Sequence, residues 1–178
     1  AALYRVYWLE FVCASAKTKS WYMFKGHRWL KLDQGLDLKK KISSDFLKRF
    51  ESMRTDLSMQ IQDSNDANWK CVAEARMKSI SDLIKKLGHQ NFKTTLLKES
   101  QENFHDDSFF GKVDKNPKLM VLLNGVLEVC PTYACVRDGK PEDFVSRCSP
   151  IFWNPEMNWK HPVVKKCMLW LNQIFPDE

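Results

Sequence analysis

The sequence predicts an α+β fold, mainly α: a small N-terminal antiparallel meander, a three-helix central part, a β-hairpin and a C-terminal helix. Three observations carry this. Apolar residues recur at spacings of three and four through most of residues 37–106, the period of helices with one buried face. Residues 3–12 and 20–32 are instead dense in aromatic and β-branched side chains, which favour strands. An Asn-Gly pair at 124–125, between two apolar runs, marks a hairpin. At 178 residues, with 44% hydrophobic and 12% aromatic content, the chain can bury a real core and is not disordered. It reads as one domain: meander 1–36, helices 37–106, hairpin and loops 107–150, C-terminal helix 151–178.

The elements follow in order. Residues 3–12 read as a strand that begins at once, so the chain is expected to be a piece of a longer protein. Residues 13–19 are a small, basic loop. Residues 20–32 give two short strands turning at Lys25-Gly26, with Trp21, Phe24 and Trp29 near one another. Asp37 is placed to cap a long helix carrying Leu38, Ile42, Phe46, Phe50, Met53 and Leu57 on one stripe. Ser64-Asn65-Asp66 breaks it, and a second helix runs from Trp69 to Leu87, with Gly88 as a left-handed terminator. A third carries Phe92, Leu96, Leu97, Ser100 and Phe104. In the hairpin, Asn124-Gly125 suits a type I′ turn, and Val121, Leu122 and Leu123 suggest a strand covered on both faces. Residues 137–150 are a loop, and Pro162 opens a last helix that Pro176 stops.

The charge is uneven. Residues 1–50 hold eleven basic and four acidic side chains, a net +7, against +6 for the whole chain. Lys39, Lys40 and Lys41 lie off the apolar stripe of the first helix and face solvent or a partner. On electrostatics alone this basic region suits phosphate contact or plain solvation. Trp21, Tyr22 and Trp29 interleave with Lys19, Lys25, Arg28 and Lys31. They could stack on single-stranded bases or form a small β core with a solvated rim, the core being the commoner arrangement.

Several chemistries are missing from the sequence. There is no phosphate-binding loop: Gly111-Lys112 and Gly139-Lys140 lead into Val113 and Pro141, without a glycine at the required offset. There is no Gly-x-Ser-x-Gly elbow, no His-Glu-x-x-His pair and no Asp-x-Asp pair, so this stretch is not expected to be an enzyme by itself. None of His27, His89, His105 and His161 sits in a catalytic motif. No metal is assigned: Cys130, Cys135, Cys148 and His161 could form a zinc knot, but scattered core and loop thiols explain the spacing more simply. Six cysteines in a chain of this size suggest reduced, intracellular thiols, with Cys71 and Cys167 buried in helices. No apolar run approaches the roughly 20 residues of a membrane span, so no membrane partner is expected.

The order of landmarks carries a resemblance. Trp21-Tyr22-Met23-Phe24-Lys25-Gly26-His27-Arg28-Trp29, Asp37 to Ser43, Asp114-Lys115-Asn116-Pro117-Lys118-Leu119 followed by Asn124-Gly125-Val126-Leu127, Arg137 to Ser146, and Leu171 to Glu178 occur in this order. Together they resemble the domain just before the superfamily 3 helicase core in primase–helicases of nucleocytoplasmic large DNA viruses, such as poxviruses, African swine fever virus and giant viruses. Glu128 stands where that family usually has aspartate. The resemblance implies a non-catalytic collar or linker between an N-terminal primase and a hexameric ATPase ring. It also implies that the chain stops where the ATPase would begin. On that reading the partners are DNA, further copies in a hexameric ring, and the neighbouring primase and helicase domains. The parent protein would use ATP and magnesium, the fragment no cofactor, and the setting would be viral replication sites in the host cytoplasm. The expected DNA contacts are Lys25, Arg28, Lys31, Lys39, Lys40, Lys41, Lys48 and Arg49. A pure oligomerisation module and a zinc-stabilised adaptor are the rival readings.

Overall fold

Residues 3–12 do not form one strand. In the computed structural model, which describes residues 2–175, Ala2–Tyr7 is a short helix (α1) and the first strand (β1) is Phe11–Ser15. Leu3 and Tyr7 lie one helical turn apart and are buried, while Tyr4 and Val6 between them are exposed. Burial with period four overrides the strand preference of the aromatic residues, because that preference is itself largely a packing effect. β1 therefore occupies part of what reads as a loop at 13–19. It pairs antiparallel with β2 (Ser20–Lys25), which pairs with β3 (Arg28–Leu32) across a turn at positive-φ Gly26.

The sheet is covered on both faces. Phe11, Cys13 and Trp21 pack with Leu38, Ile42 and Phe104 on one side; Ala14 and Trp29 pack with Phe109 on the other. Strand pleating thus sends Trp21 away from Phe24 and Trp29, which do meet, with ring centroids 5.6 Å apart.

The long helix is present but composite: α2 (Leu36–Lys41), a wide π turn (Ile42–Phe46) and α3 (Leu47–Asp63) run on without a break. Ser43 and Ser44 hydroxyls donate to the carbonyls of Lys39 and Lys40 at the entrance to the wide turn. Asp37 is not the cap. The helix starts from Gly35, at φ 74°, and Asp37 sits in the first turn, where its charge still favours the free amides. Leu38, Ile42 and Phe46 are buried as their spacing requires, but Met53 is exposed, because α3 buries no residue fully.

Next come α4 (Ala67–Gly88) and α5 (Gln90–Phe104). Asp66 caps α4 by accepting from the amides of Asn68 and Trp69. Gly88 is simply the last residue of α4 and is not left-handed; His89, in extended conformation, ends the helix. A single turn, α6 (Phe109–Lys112), carries Phe109 into the core.

The second sheet has three antiparallel strands, β4 (Leu119–Leu122), β5 (Gly125–Val129) and β6 (Ala134–Arg137). The hairpin is where the Asn-Gly pair places it, but one residue out of register. Leu122 pairs with Gly125, so Leu123 and Asn124 form the loop, and neither has positive φ. Gly125 is needed for space: a Cβ there would lie 2.6 Å from Val136 Cγ1. Val121 and Leu122 are buried, which covers both faces locally, but Leu123 is exposed. β6 is not apparent in the sequence.

The last helix, α7, is Pro162–Ile174, with Pro162 in the first turn and His161 Nδ1 accepting from the Val163 amide. Pro176, Asp177 and Glu178 lie outside the described residues. Among the described residues no helix is long and apolar enough to cross a membrane. All six cysteines are free; Cys13 is buried, whereas Cys71 and Cys167 are exposed rather than buried in their helices.

Candidate nucleic-acid interface

The eight expected DNA contacts do not form one face. Successive helical residues are 100° apart, so the Lys39-Lys40-Lys41 run points three ways. Lys39 reaches α5 and donates to Thr94 Oγ1 at 2.9 Å. Lys40 pairs with Asp37 at 3.4 Å. Lys41 turns inward to Glu10 at 2.8 Å, with its ammonium over the Tyr7 ring. Arg49 pairs with Asp45, while Lys48 is exposed. Lys25 and Arg28 are cross-strand partners beside the β2–β3 turn, and Lys31 lies opposite Tyr22. Among the described residues, Lys25, Arg28, Lys31, Lys39 and Lys48 make no ion pair.

The stacking alternative is not realised by the tryptophans. Trp21 and Trp29 are buried, and Tyr22 is half-buried with its ring 4.9 Å from that of Phe109. These aromatics build the two cores. Trp21 Nε1 has no hydrogen-bond partner among the described residues and packs under Gly35, where an added Cβ would stand 3.2 Å from it.

A groove of about 550 Å³ gathers a different basic set. Its walls come from the β1–β2 turn (Lys19), the β3–α2 connection (Asp33, Gln34), α2 (Leu36, Lys39) and α5 (Thr94, Leu97, Lys98, Gln101). The α5 residues recur at three- and four-residue intervals, which puts them on one helix face. Lys19, Lys39 and Lys98 thus surround a trough of mixed character, with Leu36 and Leu97 in its walls and Asp33 as its one acidic lining residue. Beside it, Lys93 donates to Ser43 Oγ at 3.0 Å and extends the cationic seam between α2 and α5. Of the expected contacts only Lys39 is in this groove. Lys25 and Arg28 lie at the other end of the β2–β3 hairpin, about 20 Å away at some 3.3 Å per residue. Lys19 enters the sequence reading only beside the aromatic residues of the meander, and Lys93 and Lys98 of α5 escape it because the fold alone brings α5 against α2 and the β1–β2 turn. The one signal available was the stripe on α5 itself, where Thr94, Lys98 and Gln101 share a face.

The family-like motifs do something else. Arg137 donates two parallel bonds to Asp143, both at 2.8 Å, and a third to Glu128 Oε2 at 2.6 Å. The Arg137 bond, working against burial, holds the Asp143 carboxyl below the usual carboxylate range. Asp114, at positive φ, accepts from the Ser146 amide and hydroxyl and from the Arg147 amide. Burial pushes its carboxyl up, but these donors outweigh that and keep it low. Asn124 clamps Trp153 through both its amide atoms. His27 Nδ1 accepts from Gly139, and Trp29 Nε1 donates to Pro141. These are struts that fasten residues 137–153 to both sheets and to the segment around Asp114.

The zinc set is not assembled. Cys135 pairs with Glu128 across β5 and β6, Cys148 bridges to Val121, and His161 caps α7. Among the described residues no three His, Cys, Asp or Glu side chains are grouped so as to hold a metal.

Comparison with known proteins adds the context. A family model described as "D5 N terminal like" matches residues 1–176. The chain is 26% identical over 185 residues to "Putative helicase 022R" of Frog virus 3 (isolate Goorha), covering 86% of this chain and 19% of that protein. It is 29% identical over 175 residues to "Putative helicase L207/L206" of Acanthamoeba polyphaga mimivirus, covering 93% and 17%. It is also 29% identical over 107 residues to "Putative helicase 184R" of Invertebrate iridescent virus 6, covering 60% and 11%. The chain thus spans less than a fifth of the length of each relative.

Proposed function

Because the chain belongs to the D5 N-terminal-like family, we propose that it is a non-catalytic domain of a viral replicative primase–helicase. In this reading it links primase to helicase, assists assembly of a hexameric ring and contacts DNA. ATP and magnesium would serve the helicase part of the parent protein, at replication sites in the host cytoplasm. The large-virus relatives named as helicases support the viral and helicase context.

The observation that carries the DNA contact is the convergence of Lys19, Lys39 and Lys98 on one groove. Ammonium groups on flexible stems, without a fixed base-reading fork, suit sequence-independent phosphate contact. Such contact releases counterions, so affinity should fall steeply with salt. The test is fluorescence anisotropy of the 178-residue chain with single-stranded and duplex oligonucleotides at two salt concentrations. Binding at low salt that collapses at high salt, and that Lys19→Glu with Lys39→Glu and Lys98→Glu abolishes, is the expected result. Absence of low-salt binding, or indifference to the triple charge reversal, would overturn the DNA contact.

A further inference from the structure

We infer that α7 of one copy seats its apolar face, led by Trp170, in an aromatic cleft between α1 and α5 of a second copy, a head-to-tail contact. The inference rests on the assembly part of the function proposed above and gives it a specific interface.

The helix supplies one half. At 100° per residue, Trp170, Val163, Ile174, Leu171, Val164 and Met168 fall on a continuous arc of about 160°. Lys165, Lys166, Asn172 and Gln173 dominate the rest, and α7 contains no acidic residue. No residue of α7 is buried, and Trp170 is 60% exposed. A stripe of this kind, left in water, marks an interaction surface. The segment that leads toward α7 is held at the β4–β5 loop, where Leu123 and Asn124 bond to Ile151 and Trp153.

The cleft supplies the other half. It is walled by Tyr4, Trp8, Leu9, Phe104 and Phe144, and Trp8 is 54% exposed. Its acidic lining residues, Asp106 and Glu142, are opposite in sign to the lysines of α7, and no lysine or arginine lines it. Asp106 already pairs with Lys112 at 3.7 Å, so Glu142 is the lining carboxylate that meets the α7 lysines. At about 230 Å³ the cleft is smaller than the ~300–1,000 Å³ typical of small-molecule sites. That size suits one large side chain better than a free cofactor, and tryptophan is among the side chains most enriched as interface anchors. Helix and cleft are different surfaces of one chain. Their pairing is therefore heterologous, the type that closes into a ring when the rotation allows.

The experiment is sedimentation equilibrium on the full 178-residue chain over a concentration series. The variants are Trp170→Glu on the helix and Trp8→Ala with Glu142→Lys in the cleft, with circular dichroism to verify folding. The native chain should self-associate, and each variant should weaken association by about thirtyfold or more. The two variants mixed should give a 1:1 heterodimer that grows no further, because one intact helix meets one intact cleft. A native chain that stays monomeric would overturn this contact while leaving assembly through the helicase part of the parent protein standing. Association that survives both variants, or mixtures that do not pair, would overturn the contact while leaving the assembly reading intact. DNA binding measured on the same variants should be unchanged, which separates either failure from that of the lysine groove.

Discussion

Arg137 is the most connected ionic group among the described residues, and removing it gives a sharp test of the loop-docking struts. Its side chain is 27% exposed and that of Asp143 10%. Arg137→Met keeps the stem and deletes the fork, leaving two carboxylates facing a gap. Breaking a fully buried pair costs about 3–5 kcal/mol, and losing a hydrogen bond to a charged group about 1.5–3 kcal/mol. Because Arg137 keeps about a quarter of its exposure and water can partly replace it, we expect a loss of about 2–3 kcal/mol. For a chain of this size that lowers Tm by roughly 5–10 °C.

The acid limb fixes the cause. The folded-state pKa of Asp143 is depressed, led by Arg137. Its contribution is fully present above the unfolded value, near about 3.9, and is lost as pH falls through the folded value. The Arg137→Met penalty should therefore be full at neutral pH and shrink progressively below about pH 4. Urea unfolding of both proteins at neutral and acid pH measures this directly, provided both unfold in a single transition. A neutral-pH penalty under ~0.5 kcal/mol, or one that stays constant into acid, would refute the argument that this pair anchors the loop.

Gly139→Ala should be severe. The new Cβ would fall 2.5 Å from His27 Cα and 2.6 Å from its carbonyl oxygen, backbone atoms that cannot step aside. A loss of about 2 kcal/mol or more, seen by thermal unfolding and by faster amide exchange of the 137–150 loop, is the expected outcome. Tyr7→Phe deletes the 2.7 Å bond from the Tyr7 hydroxyl to Asp45 and should cost about 1 kcal/mol in urea. That bond is the leading cause of the lowered Asp45 carboxyl. The native chain should therefore lose more stability than the variant as pH falls below about 4. Asp66→Ala removes the cap of α4 and should cost about 1 kcal/mol by the same measurement. If the lysine groove tracks phosphates, each single Lys→Gln change at 19, 39 or 98 should lower the salt slope for single-stranded DNA by about 0.7.

What the sequence made legible was set by range. Helices α4 and α5 follow from periodicity because neighbouring turns of one helix decide which face is buried, and Trp69 to Leu87 and Phe92 to Phe104 carry that pattern locally. The β2–β3 hairpin follows for the same reason. The misses are positions where a distant segment decides. α1 is helical because Tyr4 and Tyr7 meet Phe104 and Asp45. The hairpin loop slips by one residue because Asn124 is taken by Trp153 and Gly125 by the strand β6 beside it. β6 itself has a weak pattern: it is four residues long, none of them is buried, and its pairing with β5 is what makes it a strand. The basic set divides likewise: Lys41 is spent on Glu10, whereas Lys98 joins Lys39 across a long stretch of chain.

The same division bears on what the family resemblance means. Its motif residues Trp29, Asp114, Asn124, Arg137, Gly139 and Asp143 turn out to be struts that fasten loop to sheet. Two other landmarks do reach those surfaces: Asp37 to Ser43 contains Lys39 of the groove, and Leu171 begins the landmark that covers the end of α7. Most of the motif side chains therefore serve the fold, and the landmarks at 37–43 and from Leu171 onward are the ones that touch the two surfaces. Function on such a scaffold must come from surfaces the motifs hold in place. Two stand out in physical terms: a cationic groove assembled by α2, α5 and the β1–β2 turn, and a basic helix whose apolar face is left in water. Weakening a strut should lower stability without singling out either surface, whereas changing a groove lysine or Trp170 should disturb one surface and leave stability unchanged. That contrast, measured on one set of variants, separates the framework from what it presents.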